Sequence, residues 1–243
     1  MLPSSVLLEM KDVHTHIGVY HILHGVDLKI PRGELTLLLG RNGAGKTTTL
    51  RTIMGLWQAS QGQIHFNDRD ITQMRTPDIA ALNIAYVPEN MGIFADLTVE
   101  ENMLLAARNA SRAQQMDSDR LTWIYAMFPA VEKFWHHPAG KLSGGQKQML
   151  AVARAMVEPR DLLIVDEPSK GLAPAIVQNM IDAFQKMKAS GVTILLVEQN
   201  IHFAQALGDS VAVMDNGRVI HAGSMAALSA DPALQKSLLG LSL

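Results

Sequence analysis

Residues 40–48 read Gly-Arg-Asn-Gly-Ala-Gly-Lys-Thr-Thr, and no other stretch limits the possible folds as tightly. The preceding Glu34-Leu-Thr-Leu-Leu-Leu39 is a short apolar run suited to a buried parallel strand. The following Thr47–Met54 can run as a helix. Strand, glycine loop and helix in that order are the setting of a phosphate-binding loop. Gly40, Gly43 and Gly45 permit positive φ, so the backbone N–H groups of the loop, Asn42 and Ala44 included, can wrap a phosphate closely. The helix N-terminus adds partial positive charge. Lys46 supplies a cation for the β- and γ-phosphates. Thr47, followed by Thr48, offers a hydroxyl to Mg²⁺, a hard ion that takes oxygen ligands. ATP with Mg²⁺ is the ligand expected here.

Two further motifs extend the site. Asp161-Leu-Leu-Ile-Val-Asp-Glu167 is an apolar run ending in two carboxylates. A buried strand with acids at its C-terminal edge is where open α/β sheets place ligands. Asp166 is expected to hold Mg²⁺ through water, and Glu167 to orient or deprotonate an attacking water. Between these motifs stands Leu142-Ser-Gly-Gly-Gln146. Ser143, Gly144 and Gly145 would open a helix predicted to run to about residue 157, whose N-terminus is a second anion site. One chain then carries two phosphate-binding ends but a single phosphate loop.

With Leu-Ser-Gly-Gly-Gln between the nucleotide motifs, the chain resembles the ATP-binding-cassette (ABC) ATPases over nearly its whole length. The resemblance implies an α/β P-loop NTPase fold with a mostly parallel core sheet, an antiparallel sub-sheet and a helical lobe bearing the signature. It implies a single domain over 1–243, with a nucleotide-binding core at about 1–94 and 158–243 and the lobe at about 95–157. In the family two subunits pair head to tail, and Ser143, Gly144 and Gly145 would cover the other subunit's γ-phosphate. Ser169-Lys-Gly-Leu-Ala-Pro174 resembles the loop that contacts the opposite subunit, with Ala173 where many members carry Asp. Pro174 suits the first turn of the next helix. Glu89 stands where the family has Gln. It can ligate Mg²⁺ through oxygen and adds negative charge beside the γ-phosphate. Gln199 stands where most relatives place a γ-phosphate-contacting histidine. An amide can hydrogen-bond phosphate but does not titrate near neutral pH. His202 is expected to face elsewhere. The adenine-stacking position falls on Ile17, which lacks a π-face, with nearby Tyr20 as the alternative.

Four phrases point to a subgroup: Val87-Pro-Glu89, Leu97-Thr-Val-Glu-Glu-Asn102, Ser169–Pro174 and Val197-Glu-Gln-Asn200. Together they resemble the ATPases of branched-chain amino acid importers, a group that extends to urea and short-chain amide importers. The resemblance implies an ATP-hydrolysing subunit at the cytoplasmic face of the inner membrane. Its partners would be a second ATPase subunit, identical or related, transmembrane permease subunits and, indirectly, a periplasmic solute-binding protein. The alternatives are the ATPase of a lipid or lipopolysaccharide exporter, against which Glu89 and Gln199 argue, a non-transport ABC ATPase, and a nucleotide-binding regulator without turnover.

The bulk numbers agree. A chain of 243 residues, 48% hydrophobic, can bury one full domain with a sub-lobe. A net charge of −2 leaves no basic footprint for nucleic acid. Cysteine is absent, which excludes disulfides. Met1–Met10 has no basic start, so no leader is expected, and no apolar run is long enough to span a membrane. Residues 6–30 and 62–66 read as antiparallel strands, Thr98 with Glu101 as a capping box, and 224–240 as short helices. His14, His16, His21 and His24 cluster in sequence but lack the partners of a tetrahedral metal site. Met91, Ile93 and Phe94 are either core or apolar anchors for a helix of the membrane partner.

Overall fold

In the computed structural model, which describes residues 5–107 and 116–239, the chain opens with an antiparallel hairpin of β1 (Val6–Ile17) and β2 (Tyr20–Pro31). The expectation of no leader rests partly on residues 1–4, and part of the predicted helical lobe on residues 108–115; both stretches lie outside the described residues. Alternation splits β1: Leu8, Met10, Val13 and Thr15 are buried, while Lys11, Asp12 and His16 face solvent. Next come β3 (Leu35–Gly40) and α1 (Lys46–Ile53), then β4 (Ala59–Phe66) and β5 (Arg69–Asp70). The antiparallel sheet has the order β2-β1-β4-β5. Its β4 begins earlier than the sequence predicts, because Ala59 pairs with Thr15.

The chain continues through α2 (Thr76–Ala80), β6 (Ile84–Val87), α3 (Val99–Leu104), α4 (Ser118–Met127), α5 (Pro129–Lys133) and α6 (Gly144–Ala155). Thr98 caps α3 with the expected capping box, its hydroxyl accepting from Glu101 N at 3.1 Å. After α6 come β7 (Leu162–Asp166), α7 (Pro174–Ala189), β8 (Thr193–Val197), α8 (Ile201–Leu207), β9 (Ser210–Asp215), β10 (Arg218–Ser224), α9 (Met225–Ala230) and α10 (Pro232–Leu239). Pro174 takes the first turn of α7, where its missing N–H costs nothing.

The second sheet has the order β10-β9-β3-β8-β7-β6; it is parallel except for β10. Its inner strands are buried on both faces. Leu35, Leu37, Leu163, Val165, Ile194 and Leu196 pack into one core with α6, α7 and α8. Leu38, Leu162, Ile164, Leu195 and Val197 pack into the other with α1 and the antiparallel sheet. Full burial of each such side chain is worth about 1.5–3 kcal/mol, which is why the strands read as unbroken apolar runs. Because the strands are parallel, the ends of β3, β8, β7 and β6 form one row, and the loops that leave them are neighbours.

Candidate nucleotide site

The loop after β3 turns through glycines that nothing else could replace. Gly40 has φ 146°, and a Cβ there would meet the carbonyl oxygen of Met214 on neighbouring β9 at 2.3 Å. Gly43 has φ 81° with nothing crowding it, so the backbone conformation alone demands glycine. Asn42 and Gly43 form an exposed rim; Ala44 and Gly45 are buried, and Thr47 and Thr48 half-buried. The Lys46 ammonium, 5% exposed, donates to the carbonyls of Gly40 at 2.8 Å and Arg41 at 3.0 Å. Burial lowers its pKa, against the pull of Glu167 and Asp166.

The acids arrive from the next strands. β7 pairs with β8 so that Asp166 lies opposite Val197. Glu167 then turns sharply in the left-handed region, φ 50°, held by its N–H to the Val197 carbonyl at 3.0 Å. A non-glycine residue in that region stores strain. The Glu167 carboxylate accepts a hydrogen bond from the Gln199 side-chain amide. Lys170 pairs with Glu89 at 2.5 Å and reaches Glu167 at 3.4 Å. Lys170, which carries no role in the sequence reading, thus places a cation beside both Glu89 and Glu167. His202, expected to face away from the site, is exposed on α8.

Asp166 is 1% exposed, and among the described residues neither of its oxygens has a hydrogen-bond partner. Burial raises its pKa, with the nearby Thr47 hydroxyl opposing and Glu167 and Glu89 adding to the rise. Burial and Asp166 also push the Tyr86 phenol up to about 12. A buried carboxylate with no well-formed hydrogen bond, beside the hydroxyls of Thr47 and Tyr86, fits a hard oxygen-seeking cation such as Mg²⁺.

The helix expected to open at Ser143 and run to about residue 157 is α6, which ends at Ala155, and Ser143 is its N-cap. Its hydroxyl accepts from Gln146 N at 3.3 Å, and Gln146 Oε1 accepts from Ser143 N at 2.9 Å. The two signature glycines differ. A Cβ at Gly144 would meet nothing, whereas one at Gly145 would lie 2.7 Å from Ile176 Cγ2 at the start of α7. Gly144 is thus an exposed backbone donor and Gly145 a packing requirement.

Ile17 and Tyr20 are cross-strand partners in the hairpin. They share the face of Thr15, whose hydroxyl lies 3.1 Å from that of Thr52 on α1. Of the two candidates for the adenine position, Ile17 is half-buried and Tyr20 is 71% exposed. His14, His16, His21 and His24 stack on the opposite face, and among the described residues no group of three or more acids and histidines could hold a metal. Met91 and Ile93 pack partly buried against the helical core, and Phe94 is half exposed beneath the Arg154 guanidinium at 5.3 Å. A groove of about 740 Å³ lies elsewhere, lined by Arg51, Leu56, Trp57, Tyr86, Pro88 and Asn90 among others.

Residues 23–170 match the family model described as ABC transporter. The high-affinity branched-chain amino acid transport ATP-binding protein BraG of Pseudomonas aeruginosa is 36% identical, covering 96% of this chain and 100% of its own. The probable branched-chain amino acid transport ATP-binding protein LivF of Archaeoglobus fulgidus is also 36% identical, over 91% of this chain and 93% of its own. A solved ATP binding subunit of an ABC transporter superposes with a TM-score of 0.78 at 31% identity, covering 97% of this chain and 95% of that one. The chain belongs to the ABC transporter family as one of its ATPase subunits.

Proposed function

We propose that this chain drives import of branched-chain amino acids, or of related amino acids, amides or urea, by binding and hydrolysing ATP between two head-to-tail subunits. The observation that carries the reading is the row of strand ends. β3, β8, β7 and β6 bring Lys46, Gln199, Asp166 with Glu167, and Glu89 to one edge of the sheet. The transport names of the relatives supply the solute class.

In this reading Gly40 to Thr48 hold the phosphates of ATP, through the N–H groups of Asn42, Gly43, Ala44 and Gly45 and the Lys46 ammonium. Thr47 and Asp166, with Glu89 at the margin, hold Mg²⁺, which supplies neutralisation of the phosphate charge. Glu167 takes the proton of the attacking water, and Gln199 fixes that carboxylate while its amide contacts the γ-phosphate. Ile17 and Tyr20 pack on adenine. Ser143, Gly144 and Gly145 of a second subunit close the pocket, so ATP joins two chains and hydrolysis parts them. The rate gain comes from positioning and fixed dipoles.

Among the described residues no helix is long and apolar enough to cross a membrane. The transport names of the relatives support a place at the cytoplasmic face of the membrane on separate permease subunits, fed by a periplasmic binding protein. A permease helix would seat in the groove beside Leu56 and Trp57. One cassette domain spans 1–243, with the helical lobe at about 95–157. The test is Glu167→Gln. The variant is expected to retain ATP affinity, lose phosphate release and run as an ATP-dependent dimer by light scattering. Wild-type turnover in that variant, or a monomer throughout, refutes the reading.

A further inference from the structure

The carboxylate of Glu198 lies beside the site and has no role in the mechanism above. It is the first residue after β8 and is 2% exposed. A buried acid must find donors, and the donors here come from two loops. Glu198 Oε1 accepts from Ser169 N at 3.0 Å. Oε2 accepts from Ser169 Oγ at 2.9 Å, Gln199 N at 3.0 Å and Asn200 N at 3.1 Å. Three of the four partners are backbone N–H groups that can only donate, and the Ser169 hydroxyl donates as well, so the carboxylate serves all four as an acceptor. Burial raises its pKa on balance, with the bonds from Ser169, Asn200 and Gln199 opposing the rise.

These bonds join two segments that the mechanism uses separately. Gln199 follows Glu198 directly and holds Glu167. Ser169 opens the segment Ser169–Pro174 that leads into α7, two residues beyond Glu167. Asn200 in turn caps α8 through Phe203 N at 3.2 Å. The Ser169 backbone and hydroxyl and the Gln199 backbone thus hang on a single side chain.

We propose that Glu198 is a positioning residue that makes the Ser169 loop and the Gln199 loop move as one body, so that contact of the Ser169 loop with a second copy of the chain sets the Gln199–Glu167 pair. The inference rests on the proposed two-subunit ATP site. Glu198 touches no reacting atom. It acts through the geometry of Gln199 and Ser169.

The test uses the full chain with Glu198→Gln, Ser169→Ala, Ser169→Thr and the double variant Glu198→Gln/Ser169→Ala. Glu198→Gln presents an NH₂ where donors converge and breaks the bracket. It is expected to lower kcat about 10- to 100-fold, the scale of a small misplacement. Its ATP Kd should stay within about twofold, because the phosphate loop is untouched. Ser169→Ala should act the same way and add little to Glu198→Gln, while Ser169→Thr keeps the hydroxyl and the rate. In a Glu167→Gln background, Glu198→Gln should weaken ATP-driven dimerisation, a readout independent of turnover. Normal kcat and normal dimerisation in both Glu198→Gln and Ser169→Ala overturn the proposal. So does a loss of kcat matched by an equal loss of ATP affinity and thermal stability. Lys46→Ala separates the two levels. If it binds ATP normally, the nucleotide-site reading fails. If it loses ATP while Glu198→Gln turns over normally, only the coupling role fails.

Discussion

The side-chain amide of Gln199 donates a hydrogen bond to the carboxylate of Glu167, across the gap between the ends of β8 and β7. The contact holds the proposed base with a group that does not change charge near neutral pH. Gln199→Ala should therefore slow hydrolysis about tenfold or more while leaving ATP affinity within about twofold. Gln199→His should introduce a new inflection near pH 6.5, the ordinary imidazole range, into the rate profile. Phosphate release measured from pH 5.5 to 8.5 checks both, and an unmoved rate in Gln199→Ala removes the residue from the mechanism.

Asp166 links the site to stability. Its folded-state pKa lies above the ordinary 3.8, so the ligand-free fold prefers the protonated acid. That preference contributes stability fully below the unfolded value and loses it as pH rises through the raised folded value. Ionising this buried carboxylate therefore costs the ligand-free fold stability. Asp166→Asn should then stabilise the nucleotide-free protein by about 1–3 kcal/mol at pH 7–8, with the gain shrinking as pH falls toward 4. Excess Mg²⁺ and ATP should reverse the order, stabilising the wild type alone by about 2.7 kcal/mol at a hundredfold excess over Kd. Thermal melts with and without nucleotide decide it. An Asn variant no more stable than wild type at pH 8 contradicts the account.

Gly145 and Gly144 separate packing from exposure. Gly145→Ala drives a methyl into Ile176 and should cost about 1–3 kcal/mol, or several degrees in Tm. Gly144→Ala has open space and should leave Tm within about 2 °C. In an Ile176→Ala background, adding Gly145→Ala should cost little. Equal melting of the two single glycine variants would falsify this division.

In the proposed site Tyr20 is the candidate for the π-face that Ile17 lacks. Tyr20→Ala should weaken ATP binding by about 0.5–1.5 kcal/mol, roughly two- to tenfold in Kd, and leave triphosphate binding unchanged. Calorimetry with ATP and with inorganic triphosphate separates adenine from phosphate contacts. Equal losses for both ligands place Tyr20 outside the adenine pocket.

Much of this was legible in the chain because its determinants are local. The phosphate loop is a run of nine residues with its strand and helix attached. The capping box at Thr98 closes over three residues, and the one at Ser143, equally local, went unread only because its residues read as an anion site. The Lys170–Glu89 pair and the Glu198 bracket were not legible, since each depends on which strands are neighbours and in what register. Lys170 meets a residue 81 positions away and Glu198 one 29 positions away, contacts created by the β6-β7-β8 order. No periodicity of 2 or 3.6 encodes such an order. Met91 and Ile93 went undecided for a related reason: an apolar residue reads the same in a sequence whether a core or a partner covers it.

The cap on α6 takes a lone pair from the Ser143 oxygen and leaves its hydrogen for an outside acceptor. One atom can thus steady its own helix and greet a visiting anion simultaneously, with no bond surrendered on arrival. Alanine there would erase both services and blur them in any assay. Threonine would preserve both, and so is the informative control for telling a frayed helix from a lost handshake.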